Sequence, residues 1–217
     1  MTNDIVKYPK TRYLSFSPSK DNTDVRETGL FDLNNFISKD LIITTKMDGS
    51  NLQMSQGKLA ARNGKYANHK SFDLAKVLYN EIYYKIPKDI IIFGEWLYAK
   101  HSIHYTKLIS YFQVFAIYDK FNSIYLSWQD VEQLSNSLSL NTVQKLYSIK
   151  SNSLPELEQL ITQYGENYIN QGGEGIVIRN SDSFSDFNSN VAKYVRKNHV
   201  TTDEHWTQQK LIRNILK

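Results

Sequence analysis

The run Ile90-Ile91-Ile92-Phe93 leads through Gly94, Glu95 and Trp96 to Leu97. Side chains alternate across a strand, so consecutive apolar residues require cover on both faces. The segment 111–119, YFQVFAIYD, is dense in β-branched and aromatic residues and reads as another strand. Strands are also expected at 41–46, 51–55, 58–62, 175–180 and 191–197. Helical patterns lie between them. Ser71 is the expected cap of a helix whose Ala75, Leu78 and Ile82 share a face and which stops before Pro87. Ser127 precedes Val131, Leu134 and Leu138, and Ser153 with Glu156 forms a capping-box pattern ahead of Leu157, Leu160, Ile161 and Tyr164. A fourth helix is expected from Thr202 to Lys217, carrying Trp206, Ile212, Ile215 and Leu216. Strands come in clusters with helices inserted, which argues for an α+β fold with largely antiparallel sheets flanked by helices. No linker divides the chain, and the serine- and asparagine-rich stretch 180–190 reads as a polar loop between strands.

Composition narrows the classes of function. No run approaches the roughly 18 apolar residues of a membrane span, and the first ten residues lack the apolar core of a secretory signal. A cytoplasmic protein is expected. Without cysteine there is neither a disulfide framework nor a thiolate metal site. A net charge of +4 permits a polyanionic partner without requiring one.

Four constellations bear chemistry. In ITTKMDGSN, a β-branched strand ends on Lys46, followed by Asp48, Gly49 and Asn51. A lysine is nucleophilic only when neutral, which burial or a neighbouring cation promotes, and Gly49 permits a tight turn or close approach of a ligand. Alone, the stretch is equally a strand running into an Asp-Gly turn. Glu95 follows an apolar run, and a buried carboxylate needs a ligand hydroxyl, a metal or a basic side chain to satisfy it. The KHSIHY that follows suits an anion-binding loop better than a metal site, because no third ligand is near His101 and His104. Glu174 stands among glycines before Ile176, Val177 and Ile178, a place where a nucleotide with a divalent ion fits as well as a turn does. Alternation in 191–196 puts Lys193 on one face with Val191 and Val195, opposite Ala192, Tyr194 and Arg196.

Taken in order, KMDG with Lys46, FGEW with Glu95, YFQVFAIYD, EGIVIR with Glu174 and AKYVRK with Lys193 resemble the ordered motifs of covalent nucleotidyltransferases, the superfamily of polynucleotide ligases and capping guanylyltransferases. Within it the chain looks like ATP-dependent RNA ligases, in particular a small bacterial and phage group: Asn51 follows the lysine at the matching spacing and Arg62 matches an arginine on the next hairpin. The resemblance implies a single nucleotidyltransferase (adenylation) domain over residues 1–217, acting as a monomer. About 20 residues follow the last motif, too few for an OB domain. It implies that Lys46 attacks the α-phosphate of ATP, that AMP passes to a 5′-phosphate on RNA, and that a 3′-hydroxyl then displaces it. Lys193 would be the second catalytic residue. Thr45, Asp48, Gly49, Asn51, Arg62, Glu95, Phe115, Ile176 and Arg196 would bind the nucleotide, Glu95 at the ribose and Phe115 on adenine. Glu174 would serve Mg2+ or Mn2+. Two departures stand out. Position 195 is Val where the family has a second lysine, so either a bulge re-registers Arg196 or that lysine is lost. Thr45 replaces a glutamate of a related branch, leaving the purine open at that position. A DNA-nick ligase, a GTP-using capping-type enzyme and a non-catalytic nucleic-acid-binding module are the alternatives.

Overall fold

All seven segments read as strands are strands in the computed structural model, which describes residues 6–19, 28–62, 64–197 and 211–217. In chain order the strands are β1 (Arg12–Leu14), β2 (Leu30–Phe31), β3 (Leu41–Lys46), β4 (Ser50–Ser55), β5 (Lys58–Ala61), β6 (Ile90–Trp96), β7 (Phe112–Asp119), β8 (Ile124–Tyr125), β9 (Asn141–Thr142), β10 (Lys145–Ile149), β11 (Gly175–Asn180) and β12 (Val191–Val195). Among the described residues the helices include α1 (Asp73–Ile82), α2 (Trp128–Ser137) and α3 (Leu154–Asn170). These elements form two compact units.

One unit, residues 10–47 and 143–203, holds a sheet in the order β10-β3-β11-β12-β1-β2. Its centre is antiparallel, and β1 joins β12 and β2 in parallel. Ser153 caps α3 as the capping-box pattern predicts, its hydroxyl accepting from the Glu156 amide. Leu157 and Ile161 then fall on the buried face and pack with Ile43, Ile176, Ile178 and Tyr194. Gly165 allows the close approach: a Cβ there would stand 2.4 Å from the Tyr194 ring. The residues before β3 include two strands of this sheet.

The other unit, residues 1–9, 48–142 and 204–217, carries the sheet β5-β4-β6-β7-β8, with β9 parallel to β7. Ile91, Ile92 and Phe93 are all buried, so β6 has cover on both faces as its sequence requires. Gly94 lies so close to Phe112 that a Cβ would meet the ring at 2.4 Å.

Ser127 caps α2, accepting from Asp130, as expected. Ser71 does not cap α1. It lies in a 3-10 turn, Lys70–Phe72, where the His69 ring accepts from the Ser71 amide, and α1 starts after Phe72 with no side-chain cap. The expected helix from 202 falls on residues outside the described ones up to 210, and 211–217 is not helical. Arg213 bridges Ala99, Leu216 bridges Leu108, and the backbone amides of Asn214 and Ile215 donate to the carbonyls of Tyr98 and Tyr105, where a helix would have bonded within itself. The last strand stops at Val195 rather than at 197. Among the described residues no helix is long and apolar enough to cross a membrane.

Candidate active site

In the first unit, β3 ends on Lys46, whose antiparallel partner is Gly175 at the start of β11. That register brings the Lys46 ammonium to 2.7 Å from Oε2 of Glu174. Glu174 is 3% exposed and the Lys46 side chain 24%, so a buried carboxylate is satisfied by a lysine still open to solvent. Gly175 is required by contact: a Cβ would stand 2.2 Å from the Tyr194 carbonyl. Thr45 is buried one residue before the lysine, its amide donating to the Gln144 carbonyl. Ile176 faces the core rather than a cleft, fully buried with Ile43 and Tyr194.

On β12, Lys193 is paired in register with Val177 of β11 and with Tyr13 of β1. Its ammonium sits over the Tyr13 ring, 3.8 Å from the centroid. The β11–β12 register runs unbroken to Val195, so no bulge within the strand turns Arg196 onto the Lys193 face. Arg196 lies beyond the strand; its amide donates to the Glu174 carbonyl, and its Nε is buried without a hydrogen-bond partner.

In the second unit, Asp48 organises the loop after β6. Its Oδ2 accepts from the amides of Ser102 and Ile103, each at 2.8 Å, and from the Ser102 hydroxyl at 2.6 Å. The Asp48 amide donates to the Tyr105 hydroxyl. Gly49 donates to Oε1 of Glu95 at 3.0 Å, and a Cβ there would lie 2.6 Å from the Trp96 carbonyl. Glycine is thus demanded by close approach, and Glu95 has one carboxylate oxygen fixed by backbone. Asn51 pairs with Glu95 across β4–β6, and its Oδ1 is buried without a hydrogen-bond partner. Arg62 is exposed in the turn after β5. The register of β6 against β7 slips between Phe93 and Gly94, whose partners are Ala116 and Val114. Phe115 is the residue left unpaired, and such bulges re-aim a side chain. Tyr8 packs edge-on to it, centroids 5.0 Å apart.

Several supporting residues escaped the sequence reading. Tyr168 lies against Gly173, where a Cβ would meet its ring at 2.2 Å. Burial first, then the charge of Glu174, raises its pKa above that of an ordinary tyrosine. Tyr13 sits in a stretch whose alternation, Tyr13 and Phe16 apart, is too short to announce a strand. Fully buried Asn214 braces the loop after β6: its amide donates to the Leu97 carbonyl, and its Oδ1 accepts from Tyr105. Its setting among Arg213, Ile212 and Ile215 read as helix, which hid it. His104 donates from Nε2 to the Arg213 carbonyl. Among the described residues no cluster of three His, Asp or Glu side chains could hold a metal.

The RNA ligase family model matches residues 39–195. No curated protein matches the chain. Among solved structures, an archaeal ATP-dependent RNA ligase is 18% identical with a TM-score of 0.59 over 88% of this chain and 48% of its own. The Naegleria gruberi RNA ligase with PPi is 17% identical, TM-score 0.59, over 91% and 57%. A putative ATP-dependent DNA ligase from Aquifex aeolicus is 19% identical, TM-score 0.55, over 88% and 50%. The chain therefore spans about half the length of these relatives, and at such identity the likeness is one of fold.

Proposed function

Because the chain belongs to the RNA ligase family, we propose that it is an ATP-dependent ligase joining 5′-phosphate and 3′-hydroxyl RNA ends through a lysyl-adenylate on Lys46. The observation that carries this reading is the Lys46–Glu174 pair at the facing ends of β3 and β11. A strand-end lysine, partly open and held by a buried carboxylate, is placed to become a nucleophile once it loses its proton.

The reaction follows from these side chains. Paired at 2.7 Å, Lys46 rests as the ammonium. Attack needs the neutral amine, so the ion pair must open and the Nζ proton must leave. Nζ then bonds to the α-phosphorus of ATP, the bond to the bridging oxygen breaks, and pyrophosphate departs with the electron pair. An oxygen of the RNA 5′-phosphate next attacks the same phosphorus and Lys46 is released. Finally the 3′-hydroxyl attacks the 5′-phosphate and AMP leaves. Lys193, two strands from Lys46 in the sheet, offers a fixed positive charge to the α-phosphate as negative charge builds there. Glu95 binds the ribose and Phe115 stacks on adenine. Asp48, Gly49 and Asn51 shape the strand around Glu95, Arg62 and Arg196 take phosphates, and Thr45 and Ile176, buried on the strands beside Lys46 and Glu174, hold those strands in place.

A divalent metal fits the donors present. One carboxylate, Glu174, suits magnesium, which keeps most of its water and phosphate ligands; it would hold the ion directly or through water. When bound, the ion neutralises the triphosphate. We read residues 1–217 as one adenylation domain built of both units, acting as a monomer in the cytoplasm.

The test is a sealing assay with ATP and magnesium on labelled RNA bearing 5′-phosphate and 3′-hydroxyl ends, with DNA nicks and GTP as parallel arms. Sealed RNA and an AMP-capped RNA intermediate are expected. Sealing confined to DNA, dependence on GTP, or salt-sensitive RNA binding without AMP transfer would each contradict the proposal.

A further inference from the structure

The segment from Lys58 to Lys88 concentrates the chain's positive charge. It holds seven lysine and arginine residues against Asp73 and Glu81, a net of +5 where the whole chain carries +4. Of the residues assigned to the reaction only Arg62 lies within it. The segment runs from the edge strand β5 through α1 to a 3-10 turn at Tyr83–Lys85, all in one unit.

Exposed tyrosines are interleaved with these cations: Tyr66 at 64%, Tyr84 at 60% and Tyr83 at 42%. The Lys58 ammonium lies 5.8 Å from the Tyr66 centroid, and that of Lys85 lies 5.6 Å from Tyr84. Tyr83 meets Tyr84 edge-on at 5.8 Å and stands 5.7 Å from Tyr79. Tyr79 anchors the group to the sheet, its hydroxyl donating to the Ser55 carbonyl at 2.8 Å. Ser55 pairs with Lys58 across β4–β5, so Tyr79 stands beside the Lys58–Tyr66 pair, and burial raises its pKa. Lys65, Lys70 and Lys88 of the same segment are exposed.

Large rings left in water beside ammonium groups ask for a partner that offers flat π-faces and negative charge together. Single-stranded nucleic acid does so: its bases stack on tyrosine and its phosphates pair with lysine. An acidic peptide would satisfy the lysines and leave the rings uncovered. We propose that the surface of Tyr66, Tyr83 and Tyr84 with Lys58, Lys70 and Lys85 binds the single-stranded body of the RNA substrate. For its partner this rests on the ligase reading above.

The test measures affinity of the full chain for a labelled single-stranded RNA of about 16 nucleotides, near the upper single-fold site size, across a salt series. Tyr66→Ala with Tyr84→Ala should weaken binding about tenfold or more with an unchanged salt slope, since stacking carries no counterions. Lys58→Glu, Lys70→Glu and Lys85→Glu together should flatten the slope of log K against log salt by about 2, at ~0.7 per lost phosphate contact. Labelling of the protein by α-labelled ATP should be unchanged in both variants. Wild-type affinity in both, loss of ATP labelling together with RNA binding, or tighter binding of single-stranded DNA of the same sequence would overturn the proposal. A wild-type protein that takes no label overturns the ligase reading alone, because the RNA affinities still decide the surface.

Discussion

Replacing Tyr13 by Leu tests how Lys193, the proposed second catalytic residue, is held. Tyr13 is fully buried on β1, and its register partner across the parallel pair is Lys193, whose ammonium lies 3.8 Å above its ring. An aromatic face attracts the cation through its quadrupole without cancelling the net charge that a phosphate would meet. A carboxylate at the same place would cancel it. For a desolvated ring the attraction is worth about 2 kcal/mol. If that energy orients Lys193 toward the developing charge, its loss slows lysyl-adenylate formation about 30-fold, at ~1.4 kcal/mol per tenfold. The assay is single-turnover labelling with α-labelled ATP and magnesium, followed by time course. Tyr13→Phe keeps the ring and should stay close to wild type. Tyr13→Leu should be slow in the wild-type background and should cost little more once Lys193→Ala is present, because the two act through one group. A Tyr13→Leu rate within threefold of wild type would show that the ring does not orient Lys193. So would an equal loss in the Lys193→Ala background, which would mark a packing defect.

Other consequences are more local. Gly49→Ala places a Cβ 2.6 Å from the Trp96 carbonyl, an overpacking that typically costs about 1–3 kcal/mol; denaturant unfolding should register it, and KM for ATP should rise as Glu95 shifts. Asp48→Ala leaves the Ser102 and Ile103 amides without their shared acceptor, costing about 1–3 kcal/mol, and should speed hydrogen exchange in the loop after β6. Tyr194 donates to Glu166 at 2.5 Å, and burial, then that carboxylate, raises its pKa above the ordinary value. Its contribution to stability is full below about pH 10, the unfolded value, and is lost as pH rises through the raised folded value. Tyr194→Phe should therefore flatten the alkaline limb of melting temperature against pH, and an unchanged limb would contradict the assignment.

The sheets were legible because their strands carry the densest signals in the chain. Ile90–Phe93 and the aromatic run of β7 allow few other conformations, and β3 and β11 came out at their expected bounds. The short strands β1, β2, β8 and β9 were not, since two or three residues show no period. The motif residues were visible as types in order, whereas their pairings depend on register. Nothing local couples Lys46 to Glu174, 128 positions on; the antiparallel pairing of β3 with β11 does. Tyr13 was hidden for the same reason, because only its parallel strand brings it beneath Lys193. Asn214 was misread because apolar spacing in its neighbours suggested a helix, while its buried amide supports a loop far back in the chain.

In the proposed reaction Lys46 becomes covalently joined to AMP. Incubation with α-labelled ATP and magnesium followed by denaturing electrophoresis should leave label on the wild-type chain and none on Lys46→Ala. An unlabelled wild-type protein, or label that survives Lys46→Ala, would contradict it.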